Sequence, residues 1–97
     1  MFDLEGMGKL VGDLGRVKEA LKRLRVEVAE GPVSLTLNGL QEVVRVKIKP
    51  EAVKEPGRLE AWVATCFNKG AIASRQAAKE EIERVTGWSI PSIPGLL

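Results

Sequence analysis

Arg45, Lys47 and Lys49 take every second position in "VVRVKIKP", and Val44, Val46 and Ile48 fill the places between them. In an extended strand that spacing sends three cations to one face and three aliphatic side chains to the other. Like charges along one face repel one another and cost stability unless anions oppose them. The strand expected just before it offers only Ser34 and Thr36 as polar neighbours. Such a face can neutralise a polyanion, each phosphate contacted adding a salt-dependent increment of affinity through counterion release. More cations stand upstream. Residues 9–25 carry Lys9, Arg16, Lys18, Lys22, Arg23 and Arg25 against Asp13 and Glu19, a local excess of four positive charges in a chain of 97 residues that nets only +2. On a helix alone these would read as solubility and as stems packed along an apolar seam. Together with the strand they point to an anionic partner.

Covalent chemistry has little to work with. Histidine is absent, which removes the commonest general base and the commonest metal ligand. Cys66 is the sole cysteine, so neither a disulfide framework nor a thiolate cluster is available, and a reducing compartment is the natural setting. Cys66 falls on an apolar helical face with no base to activate it, and reads as a buried structural thiol. Glu80, Glu81 and Glu83 interleave with Lys79 and Arg84, the pattern of a solvated face rather than of an enclosed acid pair. Gly6, Gly8, Gly12 and Gly15 lack the spacing of a phosphate loop, and no strand precedes them. The reading is therefore of a binding protein and not an enzyme, with no metal and no cofactor. The N-terminus lacks a basic start with an apolar run, and no apolar stretch approaches the roughly 20 residues of a membrane span. A cytoplasmic protein without membrane contact is expected.

The elements that would position these residues form an α+β chain, read as one domain over residues 1–97. Met7, Leu10, Leu14, Val17, Leu21, Leu24 and Val28 are spaced alternately by three and four, a heptad seam suited to one partner helix in the same or another chain. The glycines predict a frayed start and a firm helix from about residue 12, ended by Glu30-Gly31-Pro32. Two strands follow, Val33–Leu37 and about Val43–Lys49, joined through Asn38-Gly39 and a loop longer than two residues. One apolar face per strand implies an antiparallel hairpin covered on one side by helices. A second long helix runs from near Gly57 to Gly87, with Leu59, Trp62, Val63, Cys66, Phe67, Gly70, Ala73 and Ala77 on one face. Trp62 and Cys66 read as core or interface. The tail "WSIPSIPGLL" should be irregular, and Trp88 docks on its own domain or a partner more readily than it wedges between bases.

This order of elements resembles the YbaB/EbfC family of bacterial nucleoid-associated proteins. The likeness rests on "MFDLEGMGKL", "VSLTLNGLQEVVRVKIKP", "LEAWVATCFNKGAIASRQ" and "IPSIPGLL". It implies a small homodimer whose strands join across the two copies, with long helices projecting like tweezers. It also implies binding of double-stranded DNA with little sequence preference, in the nucleoid, near replication or recombination functions. The chain departs from the family pattern in a short connection at Gly31-Pro32, in Lys49 before the proline, and in a short tail. DNA contacts are expected from Arg16, Lys18, Lys22, Arg23, Arg25, Arg45, Lys47 and Lys49, with Lys69 and Arg75 as secondary candidates. The core and dimer are expected from Leu10, Leu14, Val17, Leu21, Leu24, Trp62 and Cys66. The runner-up reading is an adaptor whose heptad helix captures a replication or recombination protein.

Overall fold

The computed structural model describes residues 4–88, with side chains described from residue 12 onward. In chain order it contains α1 (Leu4–Arg23), β1 (Val26–Glu30), β2 (Val33–Leu37), β3 (Val43–Ile48), a 3-10 turn (Pro50–Lys54) and α2 (Pro56–Thr86). The fold is α+β, with one antiparallel sheet in the order β1-β2-β3. The N-terminal glycines weaken α1 without delaying it, since it is helical from Leu4 rather than from residue 12.

The expected helix end at Glu30 is incorrect. α1 stops at Arg23, and Val28, counted as the last seam residue, lies in a strand. Val26 and Val28 are β-branched and alternate with Glu27, a pattern that packs better on a half-buried pleat than on a helix. The break also satisfies the carbonyls of the last helical turn. Leu24 and Gly39 both donate backbone N–H groups to Leu21 O, and the Arg25 guanidinium donates to the carbonyls of Lys22 and Leu24. Gly31-Pro32 is thus neither a helix stop nor a short connection into the first strand. It is the two-residue turn between β1 and β2, with Gly31 at φ +54°, the glycine-first arrangement that tight hairpins favour. The expected pair of strands becomes three.

Register decides what is buried. Val26, Val28 and Glu30 pair with Leu37, Leu35 and Val33, which in turn pair with Val43, Val46 and Ile48. Val33, Leu35 and Leu37 form the centre of the inner face, where Cys66, Leu59 and Trp62 of α2 pack on them. Burying a side chain of this size contributes on the order of 1.5–3 kcal/mol. Gly70 lets the helix come close, since a Cβ there would stand 2.6 Å from Leu37 Cδ1. One turn on, buried Ser74 donates its hydroxyl to Asn38 O at 2.7 Å.

Coverage is uneven. α2 packs on β1 and β2, and every residue of β3 is exposed. Val63 and Phe67, placed by the sequence on the core face, are instead 38% and 48% exposed. α1 packs on α2, burying Leu21 and half-burying Val17 and Leu24, while Leu14 stays exposed. The side chains of Met7 and Leu10 lie outside the described residues, as does the tail 89–97. α2 begins with Pro56 at its first position and ends at Gly87, φ +75°, whose N–H donates to Glu83 O, as the sequence suggested.

Candidate nucleic-acid interface

The alternation that buries Val33, Leu35 and Leu37 turns Ser34 and Thr36 to the opposite face. There Ser34 pairs with Ala29 and Lys47, and Thr36 pairs with Glu27 and Arg45. The outer face thus carries two rows across the sheet, Glu27–Thr36–Arg45 and Ala29–Ser34–Lys47. Among the described residues no helix packs on it. A shallow groove of about 400 Å³ crosses it, bordered by Arg25, Glu27, Arg45 and Lys47. Lys49 follows, exposed, at the end of β3. The expectation that Val44 shares a face with Val46 and Ile48 is corrected by an irregularity between Thr36 and Leu37. Val43 and Arg45 pair with the adjacent Leu37 and Thr36, which leaves Val44 as one extra residue without a partner, and it swings to the outer groove, as a bulge does.

The sequence-predicted cations fall into two groups. Among the described residues, Lys18, Lys22, Arg23, Arg45, Lys47 and Lys49 are exposed and enter no ion pair. Others are engaged. Arg16 pairs with Asp13 one helical turn away. Arg25 is turned to the end of α1, where it satisfies two carbonyls. Lys69 donates to Ala29 O and pairs with Glu30. Arg75 is half-buried beside Leu21 and Gly39. The structure does not gather all ten into one surface; it separates a sheet cluster from an α1 cluster.

Sequence reading passed over what holds the β1–β2 hairpin. Trp62 lies so close over Gly31 that a Cβ there would stand 2.6 Å from its indole Nε1. Arg58 sits over the Trp62 ring, 4.7 Å from its centroid, and pairs with Glu55 at 3.0 Å. The spacing of Arg58 and Trp62, four residues apart on a helix, was the available signal. Cys66 is fully buried, its Sγ within 3.6 Å of Val28 O and 3.7 Å of Val33 O, so it is a structural thiol. Trp88 is exposed at the helix end, with its backbone N–H donating to Thr86 Oγ1. Among the described residues no three acidic or cysteine side chains are grouped to hold a metal, and no helix is long and apolar enough to cross a membrane.

The sequence profile of the YbaB/EbfC DNA-binding family matches residues 3–88. The chain belongs to the YbaB/EbfC DNA-binding family. It is 36% identical over 92 residues to a nucleoid-associated protein of Anaeromyxobacter sp. (strain Fw109-5), covering 90% of this chain and 89% of that one. It is 27% identical over 74 residues to a nucleoid-associated protein of Caldicellulosiruptor bescii, covering 74% of this chain and 66% of the other. In fold it matches the crystal structure of an uncharacterized protein from Helicobacter pylori, with a TM-score of 0.70 at 21% identity, over 82% of this chain and 92% of that one. The YbaB/EbfC framework here is therefore α1, three antiparallel strands and α2. The short connection that set the chain apart from its family is a hairpin turn.

Proposed function

We propose that this protein binds double-stranded DNA in the nucleoid, as a homodimer, with little sequence preference. The observation that carries the reading is the set of exposed cations left without carboxylate partners among the described residues: Arg45, Lys47 and Lys49 on the sheet, and Lys18, Lys22 and Arg23 on α1. Cations of this kind meet phosphates, which position a duplex without reading its bases. Arg16, Arg25, Lys69 and Arg75 are secondary, since each already has a partner or is half-buried.

The dimer draws support from what α2 leaves bare. Val43, Val46 and Ile48 are between 39% and 54% exposed and share one face of β3. A 97-residue chain has a modest core, and covering such a patch with a second copy would add to it. The β3 backbone points the same way. Lys49 donates its N–H to Pro32 O across the β2–β3 ladder. By strand alternation Val46 and Ile48 turn their N–H and C=O groups to the open side, where a strand of another copy can pair with them. The adaptor reading is less favoured, because Val17, Leu21 and Leu24 of the heptad seam it needs are buried or half-buried within the protomer.

The test is a gel shift on a mixed-sequence duplex across a salt series, with homopolymeric A·T and G·C duplexes as competitors. Binding at low salt that weakens linearly on a log–log plot, with competitors within about tenfold of each other, is the expected result. No binding at low salt, or binding indifferent to salt, removes the reading.

A further inference from the structure

We propose that Glu27 limits phosphate binding on the outer sheet face: its carboxylate holds down the affinity for a duplex and keeps the phosphate track away from β1. This rests on the DNA-binding reading above and deepens it, since it concerns a residue that opposes the ligand instead of attracting it.

Charge on that face is graded from strand to strand. β3 carries Arg45 and Lys47, β2 carries Thr36 and Ser34, and β1 carries Glu27 and Ala29 in the same two rows. Among the described residues, Glu27 is the one acid bordering a groove that also holds Arg25, Arg45 and Lys47. It is exposed, and it enters no ion pair there. The reason is geometric. Neighbouring strands lie about 4.8 Å apart, so the backbones of Glu27 and Arg45 stand roughly 10 Å apart across β2. Arg25, two residues from Glu27, spends its guanidinium on Lys22 O and Leu24 O. Glu30, the other acid of β1, alternates to the opposite face and is neutralised by Lys69.

Magnitudes decide whether an unpaired charge at this distance matters. A phosphate seated over Arg45 and Lys47 stands roughly 8 Å from the Glu27 carboxylate. Two like charges that far apart weaken an equilibrium about 2-fold in bulk water, and more than ~10-fold at the lower effective dielectric near a protein surface. A phosphate displaced toward β1 meets a steeper penalty still. The backbone of the duplex therefore follows β3 toward Lys49 and does not cross the sheet.

The experiment measures fluorescence anisotropy of a mixed-sequence duplex titrated with the full chain, from low to high salt. Glu27→Gln should bind ~3- to ~10-fold more tightly at low salt. The gain should vanish near 1 M salt, where the Debye length falls to about 3 Å. Glu27→Thr makes the same charge change with a better strand former and serves if the glutamine variant disturbs the sheet by circular dichroism. Glu27→Asp keeps the charge and should stay within ~2-fold of wild type. Glu60→Gln removes an equal charge from an exposed site on α2, the helix that packs on the inner face, and should also stay within ~2-fold. Unchanged or weaker affinity on neutralising Glu27, an equal gain from Glu27→Asp, or an equal gain from Glu60→Gln overturns the proposal. Wild type that binds no duplex at low salt overturns the DNA reading itself, and the role of Glu27 with it.

Discussion

At the β1 edge of the sheet, the carbonyl of Ala29 accepts a bond from Lys69, Glu30 is paired with the same ammonium, and Trp62 roofs the hairpin at Gly31. At the β3 edge, among the described residues, no side chain from another element reaches the backbone, and all six residues of the strand are exposed. Both edges belong to one small sheet of similar strand lengths, so sheet geometry does not explain the difference. The placement of α2 does. A helix of 31 residues, about 46 Å long, packs mainly on β1 and β2 and leaves β3 exposed. An edge that is roofed and capped is protected from pairing; one that is bare and aliphatic on one face invites it. The fold spends its internal contacts on one side and keeps the other available.

The contrast can be broken from either end. Gly31→Val should have the largest effect on stability. It forces a β-branched residue to φ +54° and drives a side chain into the Trp62 indole, so a loss of about 3 kcal/mol in urea unfolding is expected. Next comes charge reversal on the bare side. Arg45→Glu combined with Lys47→Glu should lower duplex affinity by at least ~100-fold at low salt, about 2.8 kcal/mol. It should leave the unfolding midpoint of the protomer within about 0.5 kcal/mol of wild type, since those side chains touch no core. On the protected side, Lys69→Met uncaps Ala29 O and releases Glu30. An exposed pair of this kind contributes under about 1 kcal/mol, so a small drop in stability with unchanged DNA affinity is expected, read by the same two assays. Smallest of all is the effect of pH. With no histidine in the chain, duplex affinity at constant ionic strength should vary by less than ~2-fold between about pH 6 and pH 8.

Much of this layout was legible before any coordinates. The Asn38-Gly39 loop, the alternation that puts Arg45 and Lys47 opposite Val46 and Ile48, and the Gly87 cap of α2 all announce themselves through local chemistry. What misled was Val28. Its spacing of four from Leu24 fits a heptad, while its spacing of two from Val26 fits a strand, and over so short a segment both periods are satisfied at once. The deciding information was the pair Gly31-Pro32, which serves equally as a helix stop or as a hairpin turn when read alone. Exposure of Val63 and Phe67 was hidden for another reason: a helical face shows which residues are apolar, not how wide a sheet lies beneath it. The pairing state of Arg16 and Lys69 was only half visible. Asp13 stands one turn from Arg16 in the sequence, but Glu30 and Lys69 meet across 39 positions through the added strand.

Asn38 makes the β2–β3 connection chemically durable as well as well shaped. Asparagine followed by glycine is the dipeptide that most readily cyclises to a succinimide, through attack of the glycine nitrogen on the side-chain carbonyl. Here Asn38 is 4% exposed, its Oδ1 accepts from the N–H groups of Leu40 and Glu42, and its Nδ2 donates to Glu42 Oε1. The attacking nitrogen of Gly39 is itself held by Leu21 O at 2.8 Å. Ageing at this bond should therefore proceed only in molecules that have opened, and the slow gain of one dalton at residue 38 would serve as a clock for how often the loop lets go of α1.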